Sequence, residues 1–152
     1  MSQRADTNKL PLRSGRRRAR ELAMQGIYQW RLAGGSQEQI IRQICDDKSA
    51  GRYDAEFFSE LLQGALSQHH VLEQAVVPHL DRLLDELSPV EYAVLMLAAF
   101  ELLHHLGTPY RVIINEAVEL AKLYGGTDGY KYVNGVLDKL AAQVRAAELA
   151  AN

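Results

Sequence analysis

Arg16, Arg17, Arg18 and Arg20 fall within five consecutive positions, and Tyr28 follows two helical turns beyond Arg20. At 100° per residue, Arg17, Arg20, Met24, Tyr28 and Arg31 share a stripe about 80° wide, and Arg13 joins them if the helix reaches back that far. Ala19, Leu22, Ala23, Gly26 and Trp30 take the opposite side, suited to a core. Guanidinium groups pair with phosphates through paired hydrogen bonds, and an aromatic ring offers a platform for an unpaired base. Single-stranded RNA binding is the chemistry such a face could do. The plainer alternative is a solvated helix face with a tyrosine at its edge. Cations are unfavourable at the positive N-terminal end of a helix, however, so a cluster there points to a polyanionic partner.

The segment Tyr124–Tyr132 is a second candidate, in which Tyr130 and Tyr132 bracket Lys131 just after the glycine-bearing turn Gly125-Gly126-Thr127-Asp128-Gly129. Beside a helix N-terminus these side chains could bind nucleotide, or the tyrosines could simply close off a bundle. The turn itself reads as a helix–helix connection rather than a phosphate cradle. Motifs for a serine nucleophile, a P-loop or a dinucleotide fold are absent, so no enzyme is indicated. Cys45 is the only cysteine, which excludes an intrachain disulfide and fits a small buried hydrophobe. His69-His70 and His104-His105 are adjacent pairs that project about 100° apart on a helix, so no metal site is expected of them. Glu116 and Glu119, one turn apart, read as a solvated acidic pair. No cofactor is indicated.

Helices must position these groups, because helical spacing dominates and sustained alternation is missing. A first helix is predicted from about Arg16 to Ala33, ending at Gly34-Gly35, and a second over Gln37–Cys45 capped by Ser36. Asp46–Arg52 is a polar connection. Apolar residues from Phe57 to Leu66 and from Leu72 to Leu87 predict two helices or one broken near Ser67–His70, with Pro78 adding a kink. Ser88-Pro89-Val90-Glu91 has the form of a capping box with proline at the first helical position. The helix it starts, running to about His105, is apolar enough in its middle to be central and buried. Further helices are expected through Val112–Leu123 and, capped by Thr127 or Asp128, to about Ala147. The sum is an all-α bundle of about six or seven helices, in two packed halves.

With 152 residues, 47% of them hydrophobic, the chain can bury a core of its own. The net charge of −2 hides an uneven distribution. The first twenty residues carry seven bases and one acid, and the remainder ten bases and eighteen acids, so a +6 end precedes a −8 body. A localised polyanion contact suits that layout. Residues 1–15 are polar and without helical period, and are expected to form a flexible basic tail before a domain spanning 16–148. With no long apolar run and no signal-like segment, a soluble, cytoplasmic protein without membrane partners is expected.

Three segments carry a resemblance. Arg16-Arg17-Arg18-Ala19-Arg20-Glu21 with Ala23, Gln25, Tyr28 and Trp30 resembles the opening helix of the NusB family. The stretch from Pro109 to Lys122 is similar to the family's second signature, and Lys131-Tyr132-Val133-Asn134-Gly135-Val136-Leu137-Asp138-Lys139 to its third. The resemblance implies two three-helix lobes and a bacterial transcription antitermination factor that binds the boxA element of nascent RNA together with NusE. (NusE is a ribosomal small-subunit protein that doubles as a Nus factor.) It implies action with other Nus factors on the transcribing RNA polymerase, notably on ribosomal RNA operons. Carried over by position, the RNA contacts are Arg16, Arg17, Arg18, Arg20, Tyr28, Lys131 and Tyr132, with Glu91 near the shared RNA and NusE surface. Capping alone already explains Glu91. The same domain occurs fused to an RNA cytosine methyltransferase, but neither a cofactor loop nor a catalytic cysteine motif of that class is present. A protein-only adaptor, its arginines meeting an acidic protein, is the remaining alternative.

Overall fold

The computed structural model describes residues 12–151, and among them every regular element is helical. Eight α-helices follow in order: α1 Leu12–Ala33, α2 Gln37–Asp46, α3 Ala55–Ser67, α4 His69–Val76, α5 Pro89–His104, α6 Tyr110–Tyr124, α7 Gly129–Val144 and α8 Ala146–Ala151. The flexible tail expected over 1–15 lies outside the described residues as far as residue 11. From Leu12 onward the chain is already helical, one turn earlier than predicted. That turn is held from outside, because the Asp54 amide donates to the Gly15 carbonyl at 3.1 Å.

The fold is organised around α5. Its start is fixed by the reciprocal bonds of the capping box: the Glu91 amide donates to Ser88 Oγ at 3.1 Å, and the Ser88 amide to Glu91 Oε1 at 2.9 Å. From Tyr92 to Leu102 every residue is buried, which is what an apolar helix surrounded by neighbours requires. α1 and α3 pack on one side of α5, and α6 and α7, paired with each other, on the other. The two halves thus share one spine. The close crossing of α3 and α5 depends on Gly64, where a β-carbon would stand 2.2 Å from the Phe100 ring. Gly34, at φ 71°, supplies the left-handed residue that stops α1.

Cys45, expected as a small buried hydrophobe, is exposed near the end of α2, and the expectation for the segment after α4 also fails. The leucines from Leu80 to Leu87 do not continue α4 as a helix. After Val76 the chain makes a short 3₁₀ turn, Val77–His79, then runs extended at Leu80 and again at Leu83 before a second turn, Leu84–Glu86. Pro78 offers no amide to extend the helix. Leu83 is 72% exposed, whereas Leu87 is buried and Leu80 and Leu84 pack against the core, so these leucines reach the core without a helix.

At the other end of α5, Arg145 closes the bundle. Its buried guanidinium donates to the carbonyls of Leu102 (2.8 Å), His105 (2.9 Å) and Thr108 (3.0 Å), satisfying acceptors that the helix end leaves open. No described helix is long and apolar enough to cross a membrane.

Candidate nucleic-acid interface

The clustered arginines of α1 have different fates. Arg20 turns inward: 5% exposed, it donates from Nε and a terminal nitrogen to both oxygens of Glu101, at 2.8 and 2.9 Å. Burial alone would raise the Glu101 carboxyl, but the neighbouring His105 ring and the two bonds from Arg20 outweigh it and hold the group below the usual range. Arg18 donates to the Ala50 carbonyl at 2.8 Å and pairs with Glu21, which leaves it at the edge of the surface. Arg17 keeps about half of its side chain in solvent, with Nε 3.1 Å from Glu116 Oε2; that bond raises its pKa further. Arg16 lies with its guanidinium 4.5 Å from the centre of the Phe57 ring, and its buried Nε has no hydrogen-bond partner.

The predicted stripe is therefore open only in part. Met24, expected on it, is 2% exposed. Helical angles fix which side chains align along α1, but neighbouring helices decide which sectors are covered, and α3 and α5 cover more than one side. Arg31, at the far end, stacks over the Tyr92 ring at 4.1 Å. Tyr28 remains 37% exposed, one turn beyond Gln25.

α1 and α6 lie side by side in the same direction, since Arg17 meets Glu116 and, two turns later, Gln25 meets Tyr124. The Tyr124 hydroxyl donates to Glu21 at 2.5 Å and accepts from Gln25 at 3.3 Å, while 41% of the residue stays exposed. Burial, then the bond to Glu21, raises its pKa. Between the N-terminal halves of these helices runs a groove of about 650 Å³ lined by Arg16, Arg17, Thr108, Val112, Asn115 and Glu119 among others.

The second aromatic and basic group is gathered at the start of α7. Tyr132 is half-buried under the Arg82 guanidinium, 3.9 Å from the ring centre, and its hydroxyl accepts from the Asp81 amide at 3.4 Å. Lys131 is exposed, with Nζ 3.4 Å from Asp128, which stands at the N-cap of α7 but makes no side-chain cap bond. Glu91 faces this group: a β-carbon on Gly129 would stand 3.5 Å from its Oε2. Gly125 in turn lies against Val90. One surface thus leads from Arg16 and Arg17 past Tyr124 and Gly125 to Glu91, Lys131 and Tyr132. Arg20 is the predicted contact residue that lies beneath it.

Sequence reasoning included Tyr124 in the segment Tyr124–Tyr132 but missed Arg82 as part of this surface. Tyr124 carried the signal of an aromatic at a helix end beside two glycines, whereas Arg82 sits in an irregular segment whose spacing says nothing. The histidine pair on α4 also departs from expectation. The His69 and His70 rings converge to 3.9 Å, and with Glu73 they bring three donor atoms within 4.8 Å of one another. Both rings lean towards Glu73 one turn along, which overrides their angular divergence, and Glu73 in turn accepts from the Tyr92 hydroxyl at 2.5 Å.

The family model for NusB matches residues 17–142. The transcription antitermination protein NusB of Burkholderia vietnamiensis is 56% identical over 136 residues, covering 90% of this chain and 94% of that protein. That of Nitrosomonas eutropha is 58% identical over 134 residues, covering 88% and 80%. Among solved structures, Thermotoga maritima NusB superposes with a TM-score of 0.79 at 31% identity, covering 93% of this chain and 98% of that one. A crystal structure of the antitermination factors NusB and NusE in complex with double-stranded RNA is similar at a TM-score of 0.78 and 26% identity, covering 86% and 98%. The fold agrees with that of these solved relatives, and the chain belongs to the NusB family.

Proposed function

We propose that the chain binds boxA-type single-stranded RNA jointly with NusE and acts, with other Nus factors, on the transcribing RNA polymerase in the cytoplasm, notably on ribosomal RNA operons. Membership of the NusB family makes it a transcription antitermination factor and not an enzyme. The observation that carries the finer reading is the surface from Arg16 and Arg17 to Lys131 and Tyr132, which combines cations with the exposed Tyr124 and the half-buried Tyr132. Arg16, Arg17 and Lys131 contact phosphate, with Arg18 at the rim; Tyr28 and Tyr132 stack on bases. Arg20 serves the surface from below by fixing α1 to α5. Glu91 holds the start of α5 and borders the RNA path.

The body beyond residue 20 has an excess of eight acids, which suits a basic ribosomal protein better than further RNA. NusE docked there extends the positive track and relieves repulsion between the acidic body and the RNA. RNA affinity then rises when NusE is present, and by linkage RNA raises NusE affinity by the same factor, about 1–3 kcal/mol in typical couplings. A similar complex contains double-stranded RNA, so a duplex is the second reading to test. Titration of a boxA-like strand, a scrambled strand and a duplex, each with and without NusE at one salt concentration, decides among them. The proposal requires the boxA-like strand to bind tightest and to gain from NusE. Equal affinities with and without NusE remove the joint reader, and a preference for duplex removes the single-stranded one.

A further inference from the structure

His69, His70 and Glu73 play no part in RNA binding, and they stand together at the start of α4. His69 Nδ1 lies 3.3 Å from Glu73 Oε2, and His70 Nδ1 lies 4.0 Å from Glu73 Oε1, so two imidazoles approach opposite oxygens of one carboxylate. A histidine and a glutamate one turn apart on a helix are explained by an ordinary hydrogen bond. A second imidazole leaning on the same carboxylate, beyond hydrogen-bond distance, is not. Two of the three groups are fixed from other helices. Glu73 is mostly buried and accepts from the Tyr92 hydroxyl of α5 at 2.5 Å. The His69 ring packs on the Trp30 indole of α1, with ring centres 4.7 Å apart. The His70 side chain, 82% exposed, is free to turn. Beside them opens a shallow cavity of about 450 Å³, lined by His70, Glu73, Gln74, Val77, Pro78 and Leu84.

We propose that His69, His70 and Glu73 form a binding site for one zinc-class divalent cation. Two imidazole nitrogens and a carboxylate oxygen are the donors that such an ion takes, whereas magnesium and calcium favour oxygen alone. Around a tetrahedral zinc ion with bonds of about 2.0–2.1 Å, the ligand atoms stand roughly 3.3 Å from one another. The pair His69 and Glu73 already has that separation. One donor atom from each of the three residues falls within 4.8 Å of the other two, and rotation of the exposed His70 closes the remainder. The cavity leaves the fourth position to water. The Tyr92 hydroxyl orients the carboxylate, as hydrogen-bond partners behind metal ligands commonly do. A bound ion therefore ties the first turn of α4 to α1 through His69 and Trp30, and to α5 through Glu73 and Tyr92.

The test titrates the full chain with Zn²⁺ by calorimetry, in a buffer without chelating groups, for the wild type, His70→Ala, Glu73→Gln and His104→Ala. The wild type should take up one ion per chain, and Mg²⁺ should not compete. Losing a hydrogen-bond partner behind a ligand typically weakens a metal site about ten- to hundredfold, so losing a ligand itself in His70→Ala or Glu73→Gln should cost on the order of tenfold at least. His104→Ala, in the other histidine pair, should leave the affinity unchanged. A second readout is local, because Trp30 is the only tryptophan. Ni²⁺ takes the same donors and quenches indole emission at close range, so it should dim Trp30 in the wild type and not in His70→Ala. The exposed His70 can be removed without disturbing the fold, which an unchanged melting temperature verifies. Zinc bound no better than magnesium, or an affinity that His70→Ala leaves as it was, overturns the site and leaves the RNA-binding reading untouched.

Discussion

Arg20 and Glu101, 81 residues apart in sequence, meet in a two-pronged ion pair with side chains only 6% and 2% exposed. The pair joins α1 to α5 inside an otherwise apolar core. Two charges taken from water are tolerable there only because each satisfies the other and His105 adds a third charge-compensating group. Removing one partner leaves an uncompensated buried charge. Arg20→Ala is expected to destabilise the fold by about 3–5 kcal/mol. Arg17→Ala should cost less than Arg20→Ala, because the Arg17 side chain is half in solvent although Glu116 is nearly buried. Urea unfolding of the two variants separates them, and equal losses would show that the Arg20 pair has no special weight.

His105 makes stability depend on pH. Its Nδ1 stands 3.6 Å from Glu101 and its Nε2 2.5 Å from Glu60. Glu101 first, then Glu60, raise its pKa against the opposing effect of burial. A raised folded-state value means that the charged imidazolium adds stability in full below its unfolded value of about 6.5, and that this is lost as pH rises through the folded value. Melting temperatures of the wild type and His105→Gln should therefore lie furthest apart below that pH and approach each other as the medium becomes alkaline. A gap that widened with rising pH would contradict the sign of this argument.

Tyr28 and Tyr132 are expected to stack on bases, so Tyr28→Ala and Tyr132→Ala should each cost about 1–3 kcal/mol of RNA binding. Replacement by Phe keeps the ring and should be much milder. At Tyr132 it removes only the long 3.4 Å bond from the Asp81 amide and leaves the contact with Arg82. Thermal melting is the necessary control, because Tyr132 is half-buried. An affinity loss that always accompanies a falling melting temperature would make the ring a packing element and nothing more.

What was legible in the sequence was mostly local. Ser88 and Glu91 sit three residues apart and bond to each other, so the start of α5 could be read directly. The apolar run after Tyr92 likewise announced a helix covered on all sides. The leucines from Leu80 to Leu87 misled because their spacing imitates a helix while Pro78 stops one. Arg20 could not be separated from its neighbours, since the carboxylate that draws it inward belongs to another helix. The part Arg82 adds to the surface arises in the same way, from a segment brought to Tyr132 only by the fold.

The central claim is that RNA is held mainly by charge on the surface that Arg16 and Arg17 begin and Lys131 ends. Its most direct test is the affinity for a short single-stranded RNA measured across a range of salt. With about three or four phosphates contacted, log K should fall against log salt with a slope of roughly −2 to −3, at about −0.7 per contact. The double variant Arg16→Ala, Arg17→Ala should make that slope shallower by about 1.4. An affinity unchanged between low and high salt, or a slope indifferent to the two arginines, would contradict the account.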